Sequence, residues 1–301
     1  MRRSDSAEAE REYLLPPDLL RRLERAAIAS RHILVGRTKG ERRSARRGTS
    51  VEFADYRAYT PGDDLRYLDW NAYARLQRLF LKLFHEEEDL HVYALVDGSA
   101  SMDFGRPTKF DWAVRAAAAL GYMGLCGGDR VQLYGRADGA TQRSRQFRGR
   151  GSALQMFGWL SALEPGGETE LTDTAEALLR TRPAPGVVFV ISDMLTDDWE
   201  QAISRLAAAK GDVCVLQVFA PEEVEPRLQG DLKLVDSETE AERELTMGAR
   251  VLRQYRDTRD EFLDAVRGAC SRYGFWYHFT TSDQSLADVI LRSLRRVGVV
   301  Q

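Results

Sequence analysis

Five oxygen-bearing side chains on three separate stretches have the types and placement to do metal chemistry. The first stretch is Val92-Tyr93-Ala94-Leu95-Val96-Asp97-Gly98-Ser99-Ala100-Ser101-Met102. A short apolar run that ends in a polar turn reads as a buried strand. Asp97 then sits at its carboxyl end, with Ser99 and Ser101 on the loop beyond. In an open parallel sheet, ligands bind at that edge. One carboxylate and two hydroxyls are hard oxygen donors suited to Mg²⁺ (or Mn²⁺). Two later stretches could complete such a site. Gly166-Gly167-Glu168-Thr169-Glu170-Leu171 is a glycine turn carrying a threonine, and Val187-Val188-Phe189-Val190-Ile191-Ser192-Asp193 is a second apolar run ending in an acid.

In this order, Asp97, Ser99, Ser101, Thr169 and Asp193 resemble the metal-ion-dependent adhesion site of von Willebrand factor type A domains. Asp-x-Ser-x-Ser alone is a weak signal. Three motifs in the right order, two of them at strand ends, are a much stronger one. Two carboxylates and a few hydroxyls do not fill an octahedron, so water or a ligand oxygen takes the remaining positions. The resemblance implies that an acidic side chain of a partner protein fills that place, which makes the site a binding device before a catalytic one. One departure stands out. Where the family pattern reads Gly-Gly-Thr, this chain inserts Glu168 before Thr169, so Thr172 is an alternative ligand and Glu168 can itself approach the ion. Taken singly, Ser99 and Ser101 also fit plain capping or turn roles, and Asp103 reads as a surface turn residue.

Composition narrows the class. The chain has 301 residues, 44% of them hydrophobic, and a formal net charge of -3. That balance argues against bulk binding to nucleic acid or anionic lipid. Three cysteines, Cys126, Cys214 and Cys270, lie far apart without zinc-type spacing and read as buried free thiols in a reducing compartment. No apolar run approaches a membrane span, and the charged start, Met1 to Arg11, lacks a signal-peptide core. A soluble, cytoplasmic protein is the expectation.

The elements that must position the five residues follow from periodicity. Residues 1–15 read as a disordered polar tail. Pro16-Pro17-Asp18 opens a helix whose one face carries Leu20, Leu23, Ala27, Ser30 and Leu34. The glycine-bounded segment 36–48 holds a basic loop, Arg37 to Arg47, that reads as solvated or as a docking arm for an acidic partner or nucleic acid. A strand at 51–59, a turn at 60–63 and a strand at 79–84 come next. From residue 89 onward, strand and helix alternate. Strands fall at 91–96, 187–192 and 213–219. Helices fall at 110–125, 152–163, 172–181 and 197–210, and a hairpin turns at Asp138-Gly139. The tail adds a hairpin over 232–245, a long helix over 249–272, a strand at 275–280 that could extend the sheet, and a helix at 284–296. The β-branched, continuous strands indicate a sheet covered on both faces. The fold class is α/β: a doubly wound, mostly parallel sheet of von Willebrand factor A (Rossmann-like) type over 91–301, with an N-terminal helix/strand extension over 16–90 and a β-hairpin insertion.

The segment before that sheet carries a second resemblance. Glu52-Phe-x-x-Tyr56-Arg57, Pro61-Gly62-Asp63-Asp64-x-Arg66 and Asp69-Trp70-x-x-x-Ala74-Arg75 resemble the signature of a bacterial family, the domain of unknown function 58 (DUF58) family. Its members carry this block just before a von Willebrand A-like domain. The resemblance implies a partner class, the MoxR-type AAA+ ATPases, in chaperone-like assemblies. By residue chemistry alone, Arg57, Asp63, Asp64, Arg66, Asp69 and Arg75 could simply pair and fix a loop-rich cap.

Enzyme signals are missing. The sequence has no P-loop and no Gly-x-Ser-x-Gly elbow. Its four histidines, His32, His85, His91 and His278, are scattered, and His91 and His278 read as satisfied structural residues. Most of the tryptophans read as core. The expectation is a non-enzymatic interaction module. The alternatives are a metal-dependent hydrolase or phosphotransferase, and nucleic-acid binding through residues 37–47.

Overall fold

The computed structural model describes residues 14–31, 52–61, 63–65, 68–85, 90–137, 140–166, 171–226, 230–235 and 242–301. The basic loop 37–47, Glu168 and Thr169 lie outside the described residues. The chain divides into two compact units, Met1–Gly40 with Leu90–Gln301, and Glu41–Asp89.

The larger unit begins with α1 (Pro17–Leu23), which has proline at its start and buries Leu19 and Leu23. The apolar spacing extends this helix towards Leu34, but it stops at Leu23. The reason is tertiary. The amides of Ala27 and Ala29 donate to the carbonyls of Gln301 and Val299 at 3.2 and 2.8 Å, and Ile28 forms a bridge with Val300. Pairing with the chain's far end satisfies backbone groups that a longer helix would otherwise use.

The smaller unit holds β1 (Glu52–Ala58), α2 (Trp70–Leu76) and β2 (Phe80–His85), with β1 and β2 antiparallel. Asp69 caps α2, accepting from the amides of Asn71 and Ala72 at 2.8 and 3.1 Å, and also takes the Tyr56 hydroxyl at 2.7 Å. Arg57 donates to Asp63 at 2.8 Å, and Thr60 binds the other Asp63 oxygen through its amide and hydroxyl. Part of the charged block therefore organises its own turn and helix start. Trp70 is an exception to the expectation that most tryptophans are core: it is 64% exposed.

The larger unit then continues through β3 (His91–Val96), α3 (Lys109–Cys126), β4 (Arg130–Ala137), β5 (Ala140–Arg143), β6 (Phe147–Arg148), α4 (Ala153–Ser161), α5 (Leu171–Arg180), β7 (Gly186–Ser192), α6 (Trp199–Leu206), β8 (Gly211–Phe219) and α7 (Pro221–Val224). The antiparallel pair β9 (Gly230–Val235) and β10 (Glu242–Met247) follows, then α8 (Ala249–Arg272) and β11 (Trp276–Thr281). The strand order is β11-β8-β7-β3-β4-β5, with β6 also on β4. The first five strands are parallel, and β5 and β6 run antiparallel to β4. This is a mixed α/β fold with a mostly parallel central sheet.

Period-two alternation splits the core in two. Val92, Ala94, Val96, Phe189, Ile191 and Leu216 pack with α3 and α4 on one face. Tyr93, Leu95, Val188, Val190 and Val215 pack with α5, α6 and α8 on the other. The continuous apolar runs of β3 and β7 follow from this double covering. The expected C-terminal helix is broken into Leu286–Asp288, a π-turn over Val289–Ser293 and Leu294–Val297, ending at Gly298 with φ 91°.

Candidate functional site

After β3 the chain moves to β4 on one side. It later returns to place β7 on the other side, so the order reverses between β3 and β7. The crevice beyond the carboxyl ends at such a reversal is where open α/β sheets bind ligands. Val96 pairs with Ile191, so Asp97 and the pair Ser192 and Asp193 leave the sheet side by side.

Four of the five sequence-derived residues meet there. Asp97 is buried. Its Oδ1 accepts from the Ser99 amide at 2.9 Å and its Oδ2 from the Ser192 hydroxyl at 2.5 Å. Ser99 Oγ lies 3.0 Å from Ser101 Oγ, and Ser101 Oγ donates to Asp193 Oδ2 at 2.9 Å. A hydrogen-bonded arc thus runs from the β3 loop to the end of β7. The fifth residue, Thr169, lies outside the described residues. The Gly166 amide donates to the Gly98 carbonyl at 2.9 Å. Gly98 itself is required by packing, since a Cβ there would fall 2.6 Å from Arg136 Cβ. Thr172 is engaged elsewhere. Its amide donates to Asp198 Oδ2 at 2.7 Å, and its hydroxyl is 3.5 Å from the Asp198 carbonyl. Asp103 is exposed, as a turn residue should be.

The loop after β7 is tightly held. Asp193 Oδ1 accepts from the Leu195 amide at 2.9 Å, and its carbonyl accepts from Gln217 Nε2 at 2.9 Å. Ser192 Oγ accepts from the Met194 amide at 2.8 Å, and Met194 adopts a left-handed backbone with φ 62°. A non-glycine residue in that region stores strain that surrounding contacts must offset, a pattern found at functional sites.

Three participants escaped the sequence reading. Lys109, fully buried, donates from Nζ to Asp193 Oδ2 at 2.7 Å and to Glu223 Oε1 at 2.5 Å. Glu223 Oε2 accepts from the Ala220 amide at 2.7 Å. Ser192 is the third. One signal for Lys109 was present: it opens α3, where the helix dipole disfavours a cation. A lysine at that position ahead of an apolar helix calls for acidic partners.

Electrostatics reflect this crowding. Burial, reinforced by the Asp193 charge, pushes Asp97 up to about 6 despite its hydrogen bonds from Ser192 and Ser99. Burial opposes the Lys109 charge, yet the Asp193 and Glu223 carboxylates outweigh it and lift the ammonium above its ordinary value. Burial likewise raises Glu223, against the pull of Lys109.

Among the described residues no group of three or more His, Cys, Asp or Glu side chains is gathered to hold a metal. The donor set on the arc is of another kind: two carboxylates and two hydroxyls, all oxygen, as a hard divalent cation requires. These residues fit such an ion in donor chemistry and could hold it from one side. His278, expected to be satisfied, is half-buried with its Nε2 covered and unpartnered among the described residues, and burial lowers its pKa. The three cysteines are free thiols, with Cys214 and Cys270 buried and Cys126 half-buried.

The model of the family described as "Protein of unknown function DUF58" matches residues 55–263. The chain belongs to this family. Two relatives are named Uncharacterized protein Rv1480 of Mycobacterium tuberculosis (strain ATCC 25618 / H37Rv) and Uncharacterized protein Mb1516 of Mycobacterium bovis (strain ATCC BAA-935 / AF2122/97). Each is 30% identical over 256 residues, covering 83% of this chain and 78% of the relative. Among solved structures, the conserved hypothetical protein BatB from Bacteroides thetaiotaomicron gives a TM-score of 0.42 at 16% identity, covering 69% of this chain and 98% of that one. An aerotolerance-related membrane protein from Bacteroides fragilis gives 0.43 at 13% identity, with the same coverage. Among the described residues of this DUF58 member, no helix is long and apolar enough to cross a membrane.

Proposed function

We propose that this DUF58 chain is a non-enzymatic protein-interaction module with a von Willebrand factor A-like core and a metal-ion-dependent adhesion site. The observation that carries this reading is the arc from Ser99 through Ser101 to Asp193, which joins the carboxyl ends of β3 and β7 beside Asp97. Asp97, Ser99, Ser101 and Asp193 hold the ion, with Thr169 as the fifth ligand. A bound Mg²⁺ or Mn²⁺ supplies an electrophilic position that accepts an acidic side chain of the partner. The hydroxyl donors add no charge and two carboxylates do not fill the coordination shell, so the ion keeps an open position for an incoming carboxylate. Ser192 and the Ser99 amide orient Asp97, and the Leu195 amide orients Asp193.

The partner class is a MoxR-type AAA+ ATPase, as the family resemblance implies, in a chaperone-like assembly. Two measurements test the reading. Titration calorimetry of the full chain should show uptake of Mg²⁺ or Mn²⁺ that Asp97→Ala removes. Capture of a purified MoxR-type ATPase should require divalent ion and fail with Asp97→Ala. Undiminished capture in excess chelator would count decisively against a metal-mediated contact.

A further inference from the structure

The reading above leaves Lys109 without a role, although it is the most deeply placed cation of the site. Its ammonium is fully buried and binds the same oxygen, Asp193 Oδ2, that the Ser101 hydroxyl binds. Its second acid, Glu223, is held ready from two sides. Glu223 Oε2 takes the Ala220 amide, and its carbonyl takes the Tyr255 hydroxyl at 2.6 Å from α8. The Phe104 ring lies 5.9 Å from Nζ. An ion placed about 2.1 Å from Asp193 Oδ2 would stand no more than about 4.8 Å from Nζ, since Nζ is itself 2.7 Å from that oxygen. Two cations at that separation in a buried setting repel strongly. With Asp97, Asp193 and Glu223 ionised against one ammonium, the group carries two net negative charges, which one divalent ion balances.

We propose that Lys109 sets the ion affinity of this site: its ammonium and a divalent ion compete for Asp193 Oδ2, and Glu223 retains the ammonium when the ion takes that oxygen. This rests on the reading of the carboxyl edge as a divalent-ion site. Lys109 is then a tuning residue and not a ligand. It keeps the site from closing on the ion so tightly that exchange with a partner carboxylate is lost. Glu223 acts through Lys109: without its charge, the ammonium leans wholly on Asp193 and excludes the ion.

Mn²⁺ calorimetry on the full-length wild type, Lys109→Met, Glu223→Gln and the double variant, with thermal unfolding of each, tests this. Lys109→Met should bind Mn²⁺ at least tenfold more tightly than wild type, and Glu223→Gln at least fivefold more weakly. Lys109→Met leaves the buried Asp193 and the half-buried Glu223 without their cation and is the variant most prone to misfold. The double variant removes one charge of each sign, and it should bind at least tenfold more tightly than Glu223→Gln. Equal affinities within either pair, with wild type binding, overturn the role of Lys109 and leave the adhesion-site reading standing. No Mn²⁺ uptake by any protein ends both. Uptake only after Lys109 is removed supports the competition and ends the adhesion-site reading for the native chain.

Discussion

Both edges of the parallel sheet bury aspartate, yet they balance it in opposite ways. At the amino edge, Asp212 is answered completely. It accepts from the Ser30 hydroxyl at 2.9 Å, the Arg31 amide at 2.6 Å and Arg31 Nε at 3.0 Å. Arg31 also donates to the Gly274 carbonyl at 2.6 Å and lies over the Trp276 ring at 4.1 Å. One carboxylate faces one planar cation, whose Nε binds it while another arm holds the Gly274 carbonyl. At the carboxyl edge, Asp193 and Glu223 share the single ammonium of Lys109, and Asp97 is buried beside Asp193 with only hydrogen bonds from Ser99 and Ser192. The first arrangement ties the chain's beginning to β8. The second leaves negative charge in excess, in a crevice at the strand-order reversal. The same residue type is thus locked in place where its charge is met locally and, on the proposed function, free to take an ion where it is not.

The largest expected effect separates the two edges. Asp193→Ala strands the buried Lys109 ammonium on one acid and should cost about 3–5 kcal/mol, the range for breaking a buried pair. It should also abolish divalent uptake. Asp212→Ala should cost less, about 1–3 kcal/mol, because the Arg31 guanidinium is half-exposed and water compensates it. It should leave divalent affinity unchanged. Urea unfolding and Mn²⁺ titration of both variants decide this. A loss of ion affinity in Asp212→Ala would break the distinction.

A pH effect of intermediate size sharpens it. Asp97 is raised in the folded state to about 6 from an ordinary 3.8. The favourable contribution of its protonated form is present below about pH 4 and lost as pH rises through about 6. Asp97→Asn, which never ionises, should therefore match wild type near pH 4. Without divalent ion it should be more stable by about 1–3 kcal/mol above pH 6.5, at 1.36 kcal/mol per pKa unit. Denaturant midpoints across that window check the sign. A wild type that gains stability relative to Asp97→Asn as pH rises would show that Asp97 is compensated in the ion-free chain.

The smallest effect belongs to the amino edge. Arg31→Lys keeps the charge but loses the forked donors and the ring contact with Trp276, so it should cost about 0.5–1.5 kcal/mol. Thermal unfolding measures it, and Mn²⁺ affinity should not move.

Much of this contrast was legible only in part. The acids at the ends of β3 and β7 stood out because a buried strand leaves an unbroken apolar run, and the residue that ends it is conspicuous. The amino edge did not stand out. Ser30 was placed on a helical face because its spacing from Leu23 and Ala27 fits one, whereas it lies beyond the end of α1 and binds Asp212. Large aromatics are usually core, and most of the tryptophans read so, yet α2 displays Trp70. The short α7 that delivers Glu223 is a single turn, too brief to leave a periodic trace.

The sequence by itself determined the alternation of strand and helix, the double covering of β3 and β7, and the acids that end those two strands. These are local properties, set by side-chain period and by which residue follows an apolar run. Only the tertiary structure decided which charges meet. Lys109 finds Asp193 across 84 residues and Glu223 across 114, and Ser30 finds Asp212 across 182. An ammonium or a carboxylate carries no mark of its partner in the chain around it, because the energy that selects the pair arises only when folding removes both from water.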